Sequence, residues 1–241
     1  MGKTNDFVSG AQALEYPFEI PDFSYVFEAG NCDPLLSDNF ETVGRIPVLA
    51  AGSNQSPEQL SRKYADSPEL GPIPVIHGRL WDFDVVYAAH LAGYGSVPAT
   101  FQNSPGTVVD VFLAWFTEPQ LLRMHQTEGN YTFDRLMGCQ LEVDFGRSPC
   151  EIFAYTAKSG CYNHMGSCLS LSEINASQRS FPSASQREIQ AILCKRFSPK
   201  LDVEKFIVEN ITNKVIKANR LKKMRNDSIA IYYSRETLIS L

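Results

Sequence analysis

Gly52, Ser53 and Asn54 form a small-residue turn between an apolar run, Val48 to Ala51, and a helix start at Ser56 and Pro57. Such a turn is suited to holding an anion, because several backbone N–H groups point one way and the helix dipole reinforces them. Gly52 has no side chain to keep a ligand away from the main chain. A carboxylate or phosphate is therefore the expected guest, although short strand-to-helix turns of this composition also serve a purely structural purpose. Other candidate chemistry is weaker. Cys161, His164 and Cys168 could hold part of a metal site, but no fourth ligand stands nearby. Gly93-Tyr-Gly-Ser96 lacks the third glycine and following helix of a dinucleotide loop. No G-x-S-x-G elbow is present, which argues against an ordinary serine hydrolase.

The elements that must position this turn are legible around it. Val48 to Ala51 reads as a buried strand. Ser56 is placed to cap a helix, with Pro57 at its first position and Gln59 completing a capping box. That helix should bury Leu60 and Tyr64 and expose Glu58, Arg62 and Lys63. Val75 to Val86 reads as a strand after a Pro/Gly connector, Ser67 to Pro74. Val97–Gln102 and Thr107–Phe116 read as a β-hairpin with Asn103-Ser-Pro-Gly106 at its tip. Thr117 caps a predicted helix over 118–127, with Gly129 as a left-handed C-cap, which leaves Glu128 at the helix C-terminus. Further strands are expected around Met137–Phe145 and Cys150–Tyr155. Beyond Ser170 the texture turns helical: one helix from Ser183 or Ser185 to Phe197, another stretch from Ser198 to about Arg225, then a short strand Ile229–Tyr233.

Bulk properties narrow the class. The chain of 241 residues is 44% hydrophobic and 20% charged, enough for one ample core. A net charge of −5 speaks against nucleic acid as a partner of the whole protein. Lys214, Lys217, Arg220, Lys222, Lys223 and Arg225 concentrate six cations in an acid-free dozen, read first as a solvated helix face and second as a patch for anionic partners. No apolar run is long enough to span a membrane. Met1 to Asp6 lacks the apolar region of a secretory signal, and Asp6 departs from the pattern that would myristoylate Gly2. The expectation is a cytoplasmic protein whose six scattered cysteines are mostly small buried residues. Three regions are expected: an aromatic-rich arm over 1–44, a β-rich domain over 45–165 and a helical C-terminal extension over 166–241.

Four features in order carry a resemblance. They are the Gly52-Ser53-Asn54 turn, the strand around Leu80–Phe83, Ala99-Thr-Phe-Gln-Asn-Ser-Pro-Gly106 before Val108–Phe112, and Met124-His-Gln-Thr-Glu-Gly129. Over about residues 46–157 the chain resembles the γ-glutamylcyclotransferase-like (AIG2/BtrG-like) family, with its Tyr-Gly-Ser-Asn-Leu loop, Ala-Thr-Ile…Pro-x-x-Gly hairpin and Leu-Asp-x-x-Glu-Gly helix end. It departs from that pattern at Ala51 for Tyr, Gln55 for Leu, Asp110 for Gly and His125 for Asp.

The resemblance implies an α+β fold: a small mixed β-barrel with short helices. It also implies a small-molecule γ-glutamyl substrate, release of 5-oxoproline by attack of the substrate's own α-amine, and no metal or organic cofactor. Glu128 would be the general base. A helix C-terminus and an apolar pocket would both disfavour its charged form, as a base for an ammonium requires. From spacing alone Glu128 reads instead as a surface carboxylate. Gly52, Ser53, Asn54 and Gln55 would hold a substrate carboxylate or the developing oxyanion. His125 would tune Glu128 from the same helix face, or simply pack; Tyr131 and Tyr94 would line the pocket or fill core. A different class fits the departures at Ala51 and His125: a non-catalytic module that keeps the anion pocket without turnover. The sequence leaves the oligomeric state and the leaving amine open.

Overall fold

The computed structural model describes residues 10–37 and 40–241; the Met1 to Asp6 segment, with Gly2, lies outside them. In chain order the elements are α1 (Ala11–Leu14), β1 (Tyr25–Glu28), β2 (Asn31–Pro34), β3 (Ile46–Ala50), α2 (Pro57–Tyr64), β4 (Ile73–Tyr87), β5 (Ala99–Phe116) and α3 (Glu118–His125). They continue as β6 (Tyr131–Leu136), β7 (Leu141–Val143), β8 (Ile152–Ala157), β9 (Ser170–Leu171), β10 (Ala176–Ser177) and β11 (Ser183–Ala184). The chain closes with α4 (Gln186–Phe197), α5 (Val203–Thr212), α6 (Lys214–Asn226) and β12 (Arg235–Ser240). No described helix is long and apolar enough to cross a membrane.

The fold is mixed α+β, built on one large, mostly antiparallel sheet. Its main path runs β11-β9-β4-β5-β3-β8-β6-β12, with β1 and β7 against β4 and β10 against β5. The β3–β8 and β11–β9 pairs are parallel; the others are antiparallel. The path ends at β11 and β12, which do not pair, so it is an open ladder.

The long β4–β5 ribbon is its spine, and residues along it alternate between two cores. On β5, Val109, Val111 and Leu113 join one core, while Phe112, Ala114 and Phe116 join the other. The first core also takes Ile189 and Leu193 of α4, Phe206 and Ile207 of α5 and Met224 of α6. The C-terminal helices therefore pack into the sheet's own core rather than hanging from it as an appendage. Ion pairs to two fully buried aspartates tie the segments before and after these helices to the strands: Arg179 to Asp84 at 2.9 Å and Arg235 to Asp134 at 3.0 Å.

Several local expectations are corrected. The predicted hairpin at Asn103-Ser-Pro-Gly106 is a bulge inside one strand, because both halves of β5 pair with β4. The register passes from Trp81↔Val108 to Phe83↔Asn103, and Asp82 plugs the gap by accepting from the Gly106 amide at 2.7 Å. Ser56 precedes α2 but makes no capping bond; its fully buried hydroxyl has no partner among the described residues. Thr117, by contrast, forms the full capping box with Gln120. The strand expected at Ile229–Tyr233 forms later, as β12, with Cys161↔Ile229 an isolated bridge.

Of the six cations on α6, Arg220 is buried against Asn210, Ser198 and Glu209, and Lys217 donates to the Ala92 carbonyl at 2.6 Å. Lys214, Lys222, Lys223 and Arg225 face solvent.

Candidate functional site

A cavity of about 370 Å³ opens where β3, α2, the end of α3 and the 90–99 segment meet. Its wall contains Gly52, Ser53 and Asn54 together with Glu128. The turn that follows β3 is a single 3-10 turn, Ser53–Gln55, leading directly into α2. Leu60 and Tyr64 anchor that helix, fully buried or nearly so, and the Tyr64 hydroxyl donates to the Gln120 carbonyl of α3 at 2.7 Å. Burial of Leu60 alone stabilises the helix by about 1.5–3 kcal/mol. This offsets an unusual neighbour: Lys63, expected on the surface, is 8% exposed and points inward.

Lys63 Nζ lies 2.5 Å from Glu128 Oε1, and Asn54 Nδ2 donates to the same oxygen at 3.0 Å. Both charged side chains are 8% exposed. Glu128 is thus neither a surface carboxylate nor a helix-terminal one. α3 ends at His125 with right-handed Gln126 as C-cap, and Gly129 does not take a left-handed φ. Glu128 sits in the following turn, its amide donating to the His125 carbonyl and its carbonyl accepting from the Tyr131 amide. The helix field falls off within a turn, so the dominant charge beside Glu128 is Lys63. The described residues offer no hydrogen bond to its second oxygen, Oε2.

Hydroxyl-bearing rings complete the wall: Tyr16, Tyr94, Tyr131 and Tyr155. Tyr131 donates to the Ala99 carbonyl at 3.2 Å and sits edge-on to His90. Burial pushes the phenols of Tyr16, Tyr131 and Tyr155 up, and the Glu128 charge adds to the rise in all three. They remain protonated hydrogen-bond donors throughout the physiological range.

Two expected site residues stand elsewhere. Gln55 is 1% exposed and outside the cavity wall; it turns into the protein, its carbonyl accepting from Tyr25. His125 is also outside the wall, held edge-on to Phe133 and sharing a 2.9 Å hydrogen bond with the Tyr155 hydroxyl. It is one ring behind the cavity, and burial lowers its pKa against the opposing pull of Glu128.

The turn is also less open than its sequence implies. The Gln55 and Ser56 amides close the 3-10 turn on the Gly52 and Ser53 carbonyls. The Ser53 amide faces the Tyr16 hydroxyl, which also accepts from the Ala99 amide at 2.8 Å. Ala51 lines the cavity with a methyl group; the tyrosine beside this turn comes from the arm.

Arg62 and Arg123 stand with Lys63 at the cavity, three cations against two carboxylates once the Glu58 that pairs with Arg62 is counted beside Glu128. Arg123 is fixed by a 2.8 Å bond from Nε to the Lys63 carbonyl, and Arg62 lies 4.2 Å over the Phe18 ring. Such a balance favours an anionic ligand, with Oε2 available for a cationic or N–H group. Lys63 was legible in principle: Leu60, Lys63 and Tyr64 fall on one helical stripe. Tyr16 carried no local signal at all.

His90, also in the wall, is 2% exposed, and burial lowers its pKa to about 3, helped by Arg225 and Lys217. The unfolded chain therefore binds this proton between about pH 6.5 and pH 3 while the folded chain does not. Stability should fall as pH drops through that window, by up to about 1.4 kcal/mol per pH unit from this group. Chemical denaturation at several pH values should show a flatter acid limb in His90→Gln.

Cys161 and Cys168 flank the Gln102 amide at 3.6 and 3.7 Å, and no group of three metal-ligating side chains forms among the described residues. Compared with family models, with curated proteins and with solved structures, the chain finds no significant match.

Proposed function

We propose that the protein is a cyclotransferase acting on a γ-glutamyl amine or amino acid, with the barrel-type fold of the γ-glutamylcyclotransferase-like family it resembles. One observation carries this reading. Asn54 of the turn and Glu128, far apart in sequence, meet at 3.0 Å in one cavity. The free Oε2 is the atom that would take a proton from the substrate's α-ammonium. The amine then attacks the γ-carbonyl carbon, the carbonyl pair moves onto oxygen, and its return expels the leaving amine. Glu128 passes that proton to the leaving nitrogen and then takes the second proton from the ring nitrogen, giving neutral 5-oxoproline and a free amine. Arg62 and Arg123 supply charge for the substrate's carboxylates.

The second reading, a ligand-binding module without turnover, is favoured by the Lys63–Glu128 pair, which already provides the carboxylate with a counter-charge. The test is 5-oxoproline release from a panel of γ-glutamyl amines and amino acids, beside thermal shifts with 5-oxoproline, glutamate and glutathione. Release supports the enzyme. Stabilisation without release favours the module, and neither response removes both.

A further inference from the structure

We propose that the Tyr16 hydroxyl, carried to the cavity by the N-terminal arm, donates the hydrogen bond to the ligand oxygen that gains negative charge. The inference rests on the cyclotransferase reading for the identity of that oxygen, the γ-carbonyl oxygen of the substrate.

Tyr16 is 3% exposed, yet its side chain forms part of the cavity wall. A phenol has one hydrogen to donate and oxygen lone pairs to accept with. Here the accepting side is taken: the Ala99 amide donates at 2.8 Å and the Ser53 amide faces the same oxygen. Among the described residues no acceptor is found for the phenolic hydrogen. One amide of the turn and one at the start of β5 thus converge on one hydroxyl, whose own hydrogen is left for the cavity. Donors placed behind an O–H polarise it and strengthen the bond it makes in turn. Burial raises the Tyr16 pKa, so the group stays a donor rather than becoming an anion.

The chain reserves the position. A Cβ on Gly52 would lie 2.0 Å from the Tyr16 oxygen and 3.0 Å from Cζ, so only glycine lets the hydroxyl seat on the turn. In the reaction Tyr16 transfers nothing. The new N–C bond forms, the carbonyl pair moves to oxygen and is held by the O–H, and the pair returns as the bond to the leaving nitrogen breaks.

The test is Tyr16→Phe in the full chain, with kcat, KM, melting temperature and pH profile measured beside wild type. Loss of one such donor should lower kcat by about 10²–10³-fold with little change in KM. The acid limb of the profile should not move. Incorporation of 3-fluorotyrosine at position 16 keeps the hydroxyl and should restore kcat to within about tenfold of wild type. A Tyr16→Phe kcat within about threefold of wild type overturns the proposal. Should Tyr16→Phe fail to fold, the fluorotyrosine protein decides: an altered kcat at unchanged melting temperature supports the role, and an identical kcat and pH profile overturns it. Should wild type release no 5-oxoproline, the cyclotransferase reading falls, and calorimetric titration with 5-oxoproline decides for Tyr16. Affinity weaker by about tenfold in Tyr16→Phe upholds the donor; equal affinity, or no binding by wild type, overturns it.

Discussion

Glu128→Gln is expected to lower kcat for 5-oxoproline release by about 10²–10⁴-fold, the range lost when a positioned general base is removed. The amide keeps the shape of the side chain and an oxygen for Lys63 and Asn54, but it cannot accept the substrate's proton. The same change strands the Lys63 ammonium, 8% exposed, without its counter-charge. Breaking a buried ion pair from one side costs about 3–5 kcal/mol, because the surviving charge is left desolvated and alone. Activity and stability therefore fall together, and a second variant is needed to part them. Lys63→Met combined with Glu128→Gln removes both charges and should regain much of the stability lost by either single change. If the base assignment holds, the double variant stays inactive although it melts close to wild type. Turnover that returns with stability would show that Glu128 matters only as the partner of Lys63. Urea denaturation and the 5-oxoproline assay on all four proteins read both quantities.

Gly52→Ala should be strongly damaging for the addition of one methyl group. The added carbon would lie 2.0 Å from the Tyr16 oxygen, 3.0 Å from Tyr16 Cζ and 3.3 Å from the Ala99 Cβ. Neither neighbour yields easily: Tyr16 is held by the Ala99 amide, and Ala99 belongs to β5. Overpacking of this kind costs about 1–3 kcal/mol. It should also lift the arm from the cavity and abolish ligand-induced stabilisation. The decisive comparison is the cycle with Tyr16→Ala, which removes the whole ring. In that background Gly52→Ala should cost little, giving a coupling of at least about 1 kcal/mol between the two positions. Equal costs in both backgrounds would mean that Tyr16 does not seat on the turn.

Elements whose signals lie within a few residues of one another were readable from composition and spacing. Val48 to Ala51 gave a strand, Pro57 opened a helix, and Thr117 and Ser185 formed capping boxes with Gln120 and Glu188. Each is a local hydrogen-bonding or burial pattern, and such patterns need no knowledge of the rest of the chain. Ser56 had the same local signal as Thr117 and made no cap; its buried hydroxyl has no partner among the described residues.

Where a partner far along the chain chose the outcome, local patterns misled. Asn103-Ser-Pro-Gly106 has turn residues, but whether the chain reverses there depends on β4, which pairs on both sides of it and fills the gap with Asp82. The short strand placed at Ile229–Tyr233 waited until Arg235, where β6 offers an edge. The site divides in the same way. Residue types and spacing were enough to single out Gly52, Ser53 and Asn54 as candidate ligand-holding groups, whereas Glu128 entered only through the family resemblance. That Lys63 faces Glu128, that Gln55 and His125 turn away, and that Tyr16 closes the turn are consequences of folding. A one-dimensional pattern records which side chains can bond, whereas the packing of distant segments sets which of those bonds are within 3 Å and which groups are left facing the cavity.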